Sequence, residues 1–582
     1  ILNYNKKLDV IKFLKMKNYL NFSKNGNIIL LLALFTFFSC SEDFLDQETR
    51  DFISPDNLYV DVEGFDAGLN SLYALARAER AGVPTSNTSI GTSNNLTASM
   101  MFGGTDIVYG NRPWSSERFL NDWGEDVIGS RSQTYFTRTW NWLYRMINGA
   151  NTIINRAESQ GTDLGIDEDA LRRIIGEART IRAWCYRHLT FLFGDVPLNL
   201  EESLGENVRL DWDRAPVSQI REKIKEDLEY ASQYLPENHT SDGKIVRAVA
   251  QHYLTELLII EQDYDEAITT ALAAINGPKS LINFRYGVNA SDNGTPFTDM
   301  FLDGNSNPSE GNNEALWVFQ HAFEVEGGEG HNIMRRWLTS EYSSSSGGAK
   351  GLEVTVARGG RGNTRLSATK FMLDLYGERD ANGILNVNDD RGGIYSWRTF
   401  FNVIANDPSS AGNIGDVITL DFSPVDPLGD RFRPFTMKWA FDTNNVIDSN
   451  EPASDRLSRS YNDQVYLRLA DTYLLLSEAY HLSGDDQSAA QYINDLRSRA
   501  NAPLISASDI SIDFILDERA RELFSEEQRR YTLLRTEKWI ERTNLYNVNA
   551  SGKITERDKL YPIPQEFIDS NLDNPIQNNP GY

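Results

Sequence analysis

Cysteine and histidine are scarce in this chain of 582 residues, which contains only two cysteines and six histidines. If Cys40 is modified, as argued below, Cys185 has no partner, and an intramolecular disulfide is excluded. Six histidines in the whole chain argue against a multi-histidine metal centre. We therefore expect no resident metal and no cofactor, and stability has to come from a large core.

Basic side chains are outnumbered, because 57 lysines and arginines stand against 83 aspartates and glutamates, a formal net charge of −26. Without residues 1–39 the net charge becomes about −31 by formal counting. Such a chain repels phosphates, which argues against nucleic acid or anionic lipid head groups as partners. A hydrophobic content of 40% and an aromatic content of 11% nevertheless indicate a globular chain.

The motifs of the common hydrolases and nucleotide enzymes are missing as well. The sequence has no His-Glu-x-x-His, no Gly-x-Ser-x-Gly and no phosphate loop ending in Gly-Lys-Ser/Thr. Glycoside hydrolysis needs only two suitably spaced carboxylates, and among 83 acidic residues a pair is always available. The abundance of carboxylates therefore argues neither for nor against glycoside hydrolysis. Because the catalytic motifs are missing, we predict that the protein is not an enzyme.

A hydrophobic run long enough to cross a bilayer is also lacking. The most apolar stretch, Ile28–Phe38, is eleven residues long, which suits a secretion signal but falls short of the roughly 20 residues of a transmembrane helix. Lys17 and Lys24 precede this stretch and Cys40 follows it, which indicates lipid attachment at the Cys40 sulfur. An ordinary cleaved signal with an incidental cysteine is the alternative. We expect residues 1–39 to comprise an upstream extension and a lipoprotein signal peptide, and residues 40–582 to form one domain.

Apolar residues at helical spacing predict a mostly α fold. The predicted helical scaffold comprises approximately residues 62–77, 140–276 and 466–541. Within the second part, a glycine stop at Gly194 ends one helix and Pro216 opens the next.

Two segments of the scaffold share one internal pattern. Residues 244–276 and residues 466–499 each read as two antiparallel helices, with turns at Gln262-Asp263 and Gly484-Asp485. Their lengths of 33 and 34 residues match the tetratricopeptide period of 34. This pattern predicts helical pairs that stack and bury each other's faces.

Two other segments lack helical periodicity. Residues 82–135 are rich in serine, threonine, asparagine and glycine, and residues 280–460 place short β-like runs at 315–319 and 417–422 among similar tracts. Loops of this length in a compact domain are usually functional or disordered. We therefore predict a large irregular, loop-rich insertion with short strands, approximately 82–135 and 280–460, as the ligand-binding half.

The last helix is predicted at about 511–541. Its charged residues are interpreted as a solvent-exposed face held by i,i+4 ion pairs without a catalytic role. They are Glu518, Arg519, Arg521, Glu522, Arg529 and Arg530.

Several blocks of residues together carry a family resemblance. They are Glu177-Ala178-Arg179 through Arg182-Ala183 to Phe193–Leu198, Arg468–Asp471 through Glu478-Ala479, Tyr492–Asn494 through Arg497–Ala500, Glu518-Arg519 through Leu534-Arg535, and the tail Tyr561–Pro564 with Gln577–Tyr582. Across residues 40–582 this set resembles the SusD/RagB-like outer-membrane nutrient-binding lipoproteins. These blocks belong to the family's scaffold and do not identify a ligand.

The resemblance implies four tetratricopeptide-like units that cradle the loop-rich half. It also implies capture of an oligomeric nutrient, expected to be an oligosaccharide or polysaccharide, and its delivery to a SusC-like TonB-dependent transporter barrel. The protein is accordingly expected in the outer membrane, anchored by its N-terminal lipid and exposed on the outer surface. Two alternatives stay open, namely a peptide or other non-sugar cargo in the same system, and a structural tetratricopeptide adaptor for protein partners.

Sugar capture requires flat aromatic rings against C–H faces and amide or guanidinium groups that bond hydroxyls. The segments 82–135 and 323–350 contain both kinds of side chain, and analogy with the family favours them as the ligand face. The predicted ligand-binding residues are Tyr109, Trp114, Trp123, Trp337, Tyr342, Asn111, Arg112 and Arg335. For each aromatic residue in this set, packing in the core is the competing interpretation.

Overall fold

The computed structural model describes residues 54–81, 98–112, 116–203, 207, 209–288, 290–322, 325, 333–343, 350–407, 410–422, 428–439 and 460–582. Cys40 and Trp114, for which the sequence predicts lipidation and ligand binding, lie outside these residues. The chain divides into two compact units, Ile1–Asn57 and Leu58–Tyr582. Within the described part, none of the helices combines the length and apolarity needed to cross a membrane.

A scaffold of helices that pack on one another in succession runs through the second unit. In chain order, its helices of seven residues or more are α1 (Val62–Ala76), α2 (Ser130–Gln160), α3 (Glu168–Phe193), α4 (Val217–Tyr234), α5 (Arg247–Ile260), α6 (Tyr264–Ile275), α7 (Leu469–Ser483), α8 (Asp486–Arg499), α9 (Ile512–Leu523), α10 (Arg529–Arg535) and α11 (Trp539–Tyr546). From α1 to α6 each helix packs on a neighbour, α6 packs on α7, and α7 contacts α8 and α9. The predicted mostly α scaffold of helical pairs is confirmed.

Both predicted turns between paired helices occur where the sequence placed them. At each turn a residue with positive φ, Gln262 (63°) or Gly484 (92°), reverses the chain. An aspartate then caps the second helix, since Asp263 accepts from the Glu266 N–H and Asp485 from the Ser488 N–H. These local signals explain why the two pairs were readable from the sequence.

The last predicted helix, about 511–541, is wrong, because the chain forms α9, α10 and α11 instead. It leaves the helical conformation at Phe524 (φ −49°, ψ 127°), and Ser525 follows with a φ of 65°. The predicted solvent-exposed charged face is also wrong. Its six residues are all buried, with Glu518, Glu522, Arg529 and Arg530 at 0% exposure.

Among its described residues, the loop-rich half contains short helices and strands that pair into four two-stranded antiparallel sheets. The strands are β1 (Val108–Gly110), β2 (Ala315–Phe319), β3 (Leu366–Ala368), β4 (Trp397–Arg398), β5 (Phe400–Asn402), β6 (Val417–Thr419), β7 (Phe435–Thr436) and β8 (Gln464–Arg468), paired β1–β3, β2–β8, β4–β7 and β5–β6. The short helices of this half lie at Ser99–Phe102, Glu125–Ile128, Pro296–Asp299, Ile333–Leu338 and Lys370–Asp374, and others lie outside it at Pro55–Leu58, Ala78–Ala81 and Gln565–Ser570. Because β8 runs directly into α7, the β2–β8 pair joins this half to the scaffold.

A buried set of ion pairs, here called the Glu522 network, makes a second junction between the two halves. Arg468 donates to Glu314 at 2.6 Å and to Glu522 at 2.9 Å. Arg499 donates to Glu314 at 2.9 Å and also pairs with Glu522. Arg391 lies 3.3 Å from Glu522. Burial alone would raise the pKa of Glu522, but the three guanidinium groups hold that pKa well below its ordinary value.

Candidate functional site

An open cleft of about 900 Å³ lies in the loop-rich half, a volume typical of ligand sites. It is formed by the helix Lys370–Asp374, the following loop, the residues after β6, and a third segment near residue 430. The side chains that line it are those of Lys350, Lys370, Leu373, Asp374, Glu378, Arg379, Asp380, Ala381, Thr419, Leu420, Asp421, Phe422, Asp430 and Phe432.

Local backbone chemistry fixes the first wall of the cleft. Thr369 caps the short helix by accepting from the Met372 N–H at 3.2 Å. The loop then turns at Asp380, whose carboxylate accepts from the N–H groups of Asn382 and Ile384 at 2.8 and 2.9 Å. Gly383 completes the turn with a φ of 77°. The exposed carboxylate of Asp380 is therefore held at the rim by its own backbone.

Two phenylalanine rings lie in the cleft. Phe422 is half-buried, and the Arg379 guanidinium lies 5.8 Å from its ring centroid. Phe432 is buried at 3% exposure in the floor, with the Lys350 ammonium 5.7 Å from its ring. A small core that includes Tyr342 and Leu420 supports the floor. The cleft thus combines a partly accessible ring with a buried, packed base.

Charged side chains dominate the rim, with five carboxylates and three cations. Lys370 pairs with Asp374. Asp430 accepts from the Phe432 N–H at 3.0 Å, and burial, together with the neighbouring Asp421 carboxylate, raises the pKa of Asp430. Together these groups can accept hydrogen bonds from hydroxyls on several sides, beside a ring that can cover an apolar face.

The four described aromatic residues predicted to bind ligand are buried. Tyr109, Trp123, Trp337 and Tyr342 are exposed by 0–2%. Trp123 stacks on Tyr561 at 5.9 Å, and the Tyr342 hydroxyl donates to a backbone carbonyl at 2.7 Å. The competing interpretation, packing in the core, describes these rings, because a buried ring offers no free face to a sugar. Among these four residues, Tyr342 belongs to the small core that supports the floor of the cleft.

The three predicted polar residues act as internal braces. Asn111 is fully buried, and its amide donates to the Asp430 carbonyl at 2.6 Å and accepts from the Gly429 N–H at 2.9 Å. Arg112 pairs with Glu341. The remaining arginine, Arg335, donates to two backbone carbonyls at 2.9 and 3.3 Å, and burial lowers its pKa to about 9. Asn111 therefore holds one wall of the cleft from behind.

Sequence reasoning missed the residues that line the cleft. Phe422 ends the predicted β-like run 417–422, and Arg379 follows a short helix. No local pattern indicates that these two side chains meet, since the contact depends on how separate loops fold together. From composition the sequence predicted only that the loop-rich half is the ligand-binding half, and the cleft lies within that half.

Two family models match this chain over most of its length. One, described as the SusD family, matches residues 314–582, and one described as starch-binding and associating with the outer membrane matches residues 43–250. Among curated relatives, the SusD-like protein P25 of Formosa agariphila is 25% identical over 523 residues, which cover 87% of this chain and 89% of that protein.

Solved structures of the same kind share the fold. A laminarin-binding SusD-like protein aligns with a TM-score of 0.63 at 20% identity, over 89% of this chain and 99% of its own. The surface glycan-binding protein A of Bacteroides thetaiotaomicron, solved in complex with laminarihexaose, gives a TM-score of 0.61 at 17% identity over 89% and 99%. At this level of identity the two structures establish the architecture only.

Proposed function

The chain belongs to the SusD family, and from that premise we propose that it captures a glycan at the cell surface and delivers it to a SusC-like TonB-dependent transporter. The name of one family model refers to starch binding and the outer membrane, and two proteins of the same fold are named for laminarin or surface glycans. The apolar run before Cys40 supports a lipid anchor on the outer surface, since acyl chains bury enough methylene groups for stable attachment.

We propose the cleft around Phe422 as the place where the glycan binds, and this cleft is the observation on which the proposal depends. The half-buried ring can cover the C–H face of a sugar, and the carboxylates of Glu378 and Asp421 can accept from its hydroxyls. The floor, in which Phe432 is packed in a buried apolar cluster, supports binding without large rearrangement, which lowers the entropic cost of association.

We propose binding without catalysis. The related proteins are named for what they bind.

Polysaccharide retention in affinity gels, followed by calorimetry with the retained polymer, tests the glycan assignment. We expect Phe422→Ala to weaken binding about tenfold, because losing one stacking ring removes about 1–1.5 kcal/mol. The matched control is Phe284→Ala, which removes a ring that is 59% exposed and lies outside the cleft. Retention by no polysaccharide would refute the glycan assignment, and equal losses in both variants would refute the placement in the cleft.

The anchor and the transporter are tested separately. In cells, Cys40→Ser should abolish the acyl mass on the protein and release it from the outer-membrane fraction, measured by mass spectrometry and fractionation. Affinity purification of the intact lipoprotein from solubilised outer membranes should recover a TonB-dependent barrel. Recovery of the lipoprotein alone from such membranes would contradict the proposed partnership.

A further inference from the structure

We propose that the cleft selects uncharged glycans and discriminates against sulfated or carboxylated ones. This inference rests on the proposed function, because it assigns a chemical class of ligand to the same cleft. It is drawn from the charges on the rim and from the contacts that already engage the cations.

Carboxylates form most of the charged rim. Asp374, Glu378, Asp380 and Asp421 are all solvent-exposed, and a fifth carboxyl group, that of Asp430, lies behind them. An anionic group on a bound sugar would lose water while lying close to these charges, and like charges at such distances repel. A neutral hydroxyl instead donates a hydrogen bond to the same oxygens.

Two of the three cations of the cleft, Lys370 and Arg379, are already engaged by a carboxylate or by backbone carbonyls, and the Lys350 ammonium lies 5.7 Å from the Phe432 ring. Lys370 pairs with Asp374. The Arg379 guanidinium donates to the backbone carbonyls of Gly383 and Gly392 at 3.2 and 2.8 Å. A sulfate that bound Arg379 through two parallel hydrogen bonds would have to displace these contacts, which hold the loop in place.

Two further features also disfavour the binding of anionic glycans. The Asp421 carboxylate lies close enough to raise the pKa of Asp430, so that the site already contains one repulsion between acidic groups that an added anion would increase. The whole chain has a formal net charge of −26, which slows the approach of polyanions at low salt. Local and overall electrostatics therefore favour the same class of ligand.

Matched polymers test the selectivity. Laminarin, dextran and hydroxyethyl cellulose would each be compared with a charged counterpart, laminarin sulfate, dextran sulfate and carboxymethyl cellulose, by affinity gel electrophoresis and calorimetry. We expect each neutral polymer that binds to do so at least tenfold more tightly than its charged counterpart at low salt. The ratio should shrink in about 0.5 M salt, because screening weakens the repulsion.

Variants connect the selectivity to the cleft. The double substitution Glu378→Gln with Asp421→Asn should lower the neutral-to-charged affinity ratio at least several-fold. The control double substitution, Glu541→Gln with Asp573→Asn, changes the net charge equally at exposed positions outside the cleft and should leave the ratio unchanged. Equal effects of both double variants would overturn the assignment of the selectivity to the cleft.

The outcomes for the wild-type protein separate the two proposals. If a charged polymer binds as tightly as its neutral counterpart, the selectivity is refuted while glycan capture stands. If none of the six polymers and no other polysaccharide is retained, both proposals fall together.

Discussion

Replacing Glu522 by glutamine tests whether buried charge fastens the loop-rich half to the scaffold. Glu522 is fully buried and faces Arg468 at 2.9 Å, Arg391 at 3.3 Å and also Arg499. Glutamine keeps the shape of the side chain but removes the negative charge that the three guanidinium groups share. Removing one partner of a buried ion pair typically costs about 3–5 kcal/mol. Because other carboxylates such as Glu314 remain in the network, we expect a loss at the lower end, about 3 kcal/mol.

The expected loss converts into a measurable shift of the unfolding midpoint. A folded unit of about 500 residues has an unfolding entropy of about 1.1 kcal/mol/K, so that the midpoint should fall by about 3 °C. Differential scanning calorimetry would measure it. The matched control is Glu541→Gln, which breaks an exposed pair with Lys538 (3.0 Å, with the Glu541 side chain 62% exposed) and should shift the midpoint by less than about 0.5 °C. A Glu522→Gln midpoint no lower than that of the control would refute the reasoning.

Three further expectations follow from burial and close packing. Neighbouring guanidinium groups outweigh burial and lower the pKa of Glu518 from 4.5 to about 2. The ionised Glu518 carboxylate therefore stabilises the fold fully above pH 4.5, and this stabilisation is lost as the pH falls toward 2. Glu518→Gln should flatten the decline of the melting temperature between these pH values, and an unchanged decline would contradict this expectation. Burial raises the pKa of the Cys185 thiol. Iodoacetamide at pH 8 should therefore label Cys185 only after denaturation, which mass spectrometry would measure. Labelling of Cys185 in the folded protein would contradict this expectation. Gly362→Ala would push a methyl group into the Ser340 carbonyl and should lower the melting temperature, whereas Gly124→Ala meets nothing within 4 Å and serves as its control; equal melting temperatures would disprove the clash.

The parts of the fold that local signals determine could be predicted from the sequence. The two helical pairs have apolar stripes, aspartate caps and residues with positive φ at their turns, all within about 34 residues of chain. The strand Ala315–Phe319 was likewise readable as a short apolar run, and the structure confirms it as β2. The break after Leu523 was not readable, because the segment keeps its apolar spacing through a point where tertiary packing turns the chain.

Charge and aromatic residues were the harder features to interpret. The pattern around Glu518 and Arg529 looks the same whether its ion-pair partners lie one helical turn away or in a distant loop. In the structure Arg529 pairs with Asp106, more than 400 positions earlier in the chain. For the same reason a tryptophan such as Trp337 in a polar stretch does not reveal whether it faces solvent or the core. Such assignments need the fold.

The Asn111 amide hydrogen-bonds to the backbone at Gly429 and Asp430, and this determines which positions of the cleft can change in sequence without loss of its shape. The shape of the cleft is set from behind, by the Asn111 amide just after β1 and by the apolar cluster that contains Phe432, whereas Glu378 and Asp421 project from its edge. Edge residues can be exchanged without disturbing what holds the cavity open. One architecture can thereby be retargeted to a different sugar through a few outward-facing substitutions, with the interior left untouched.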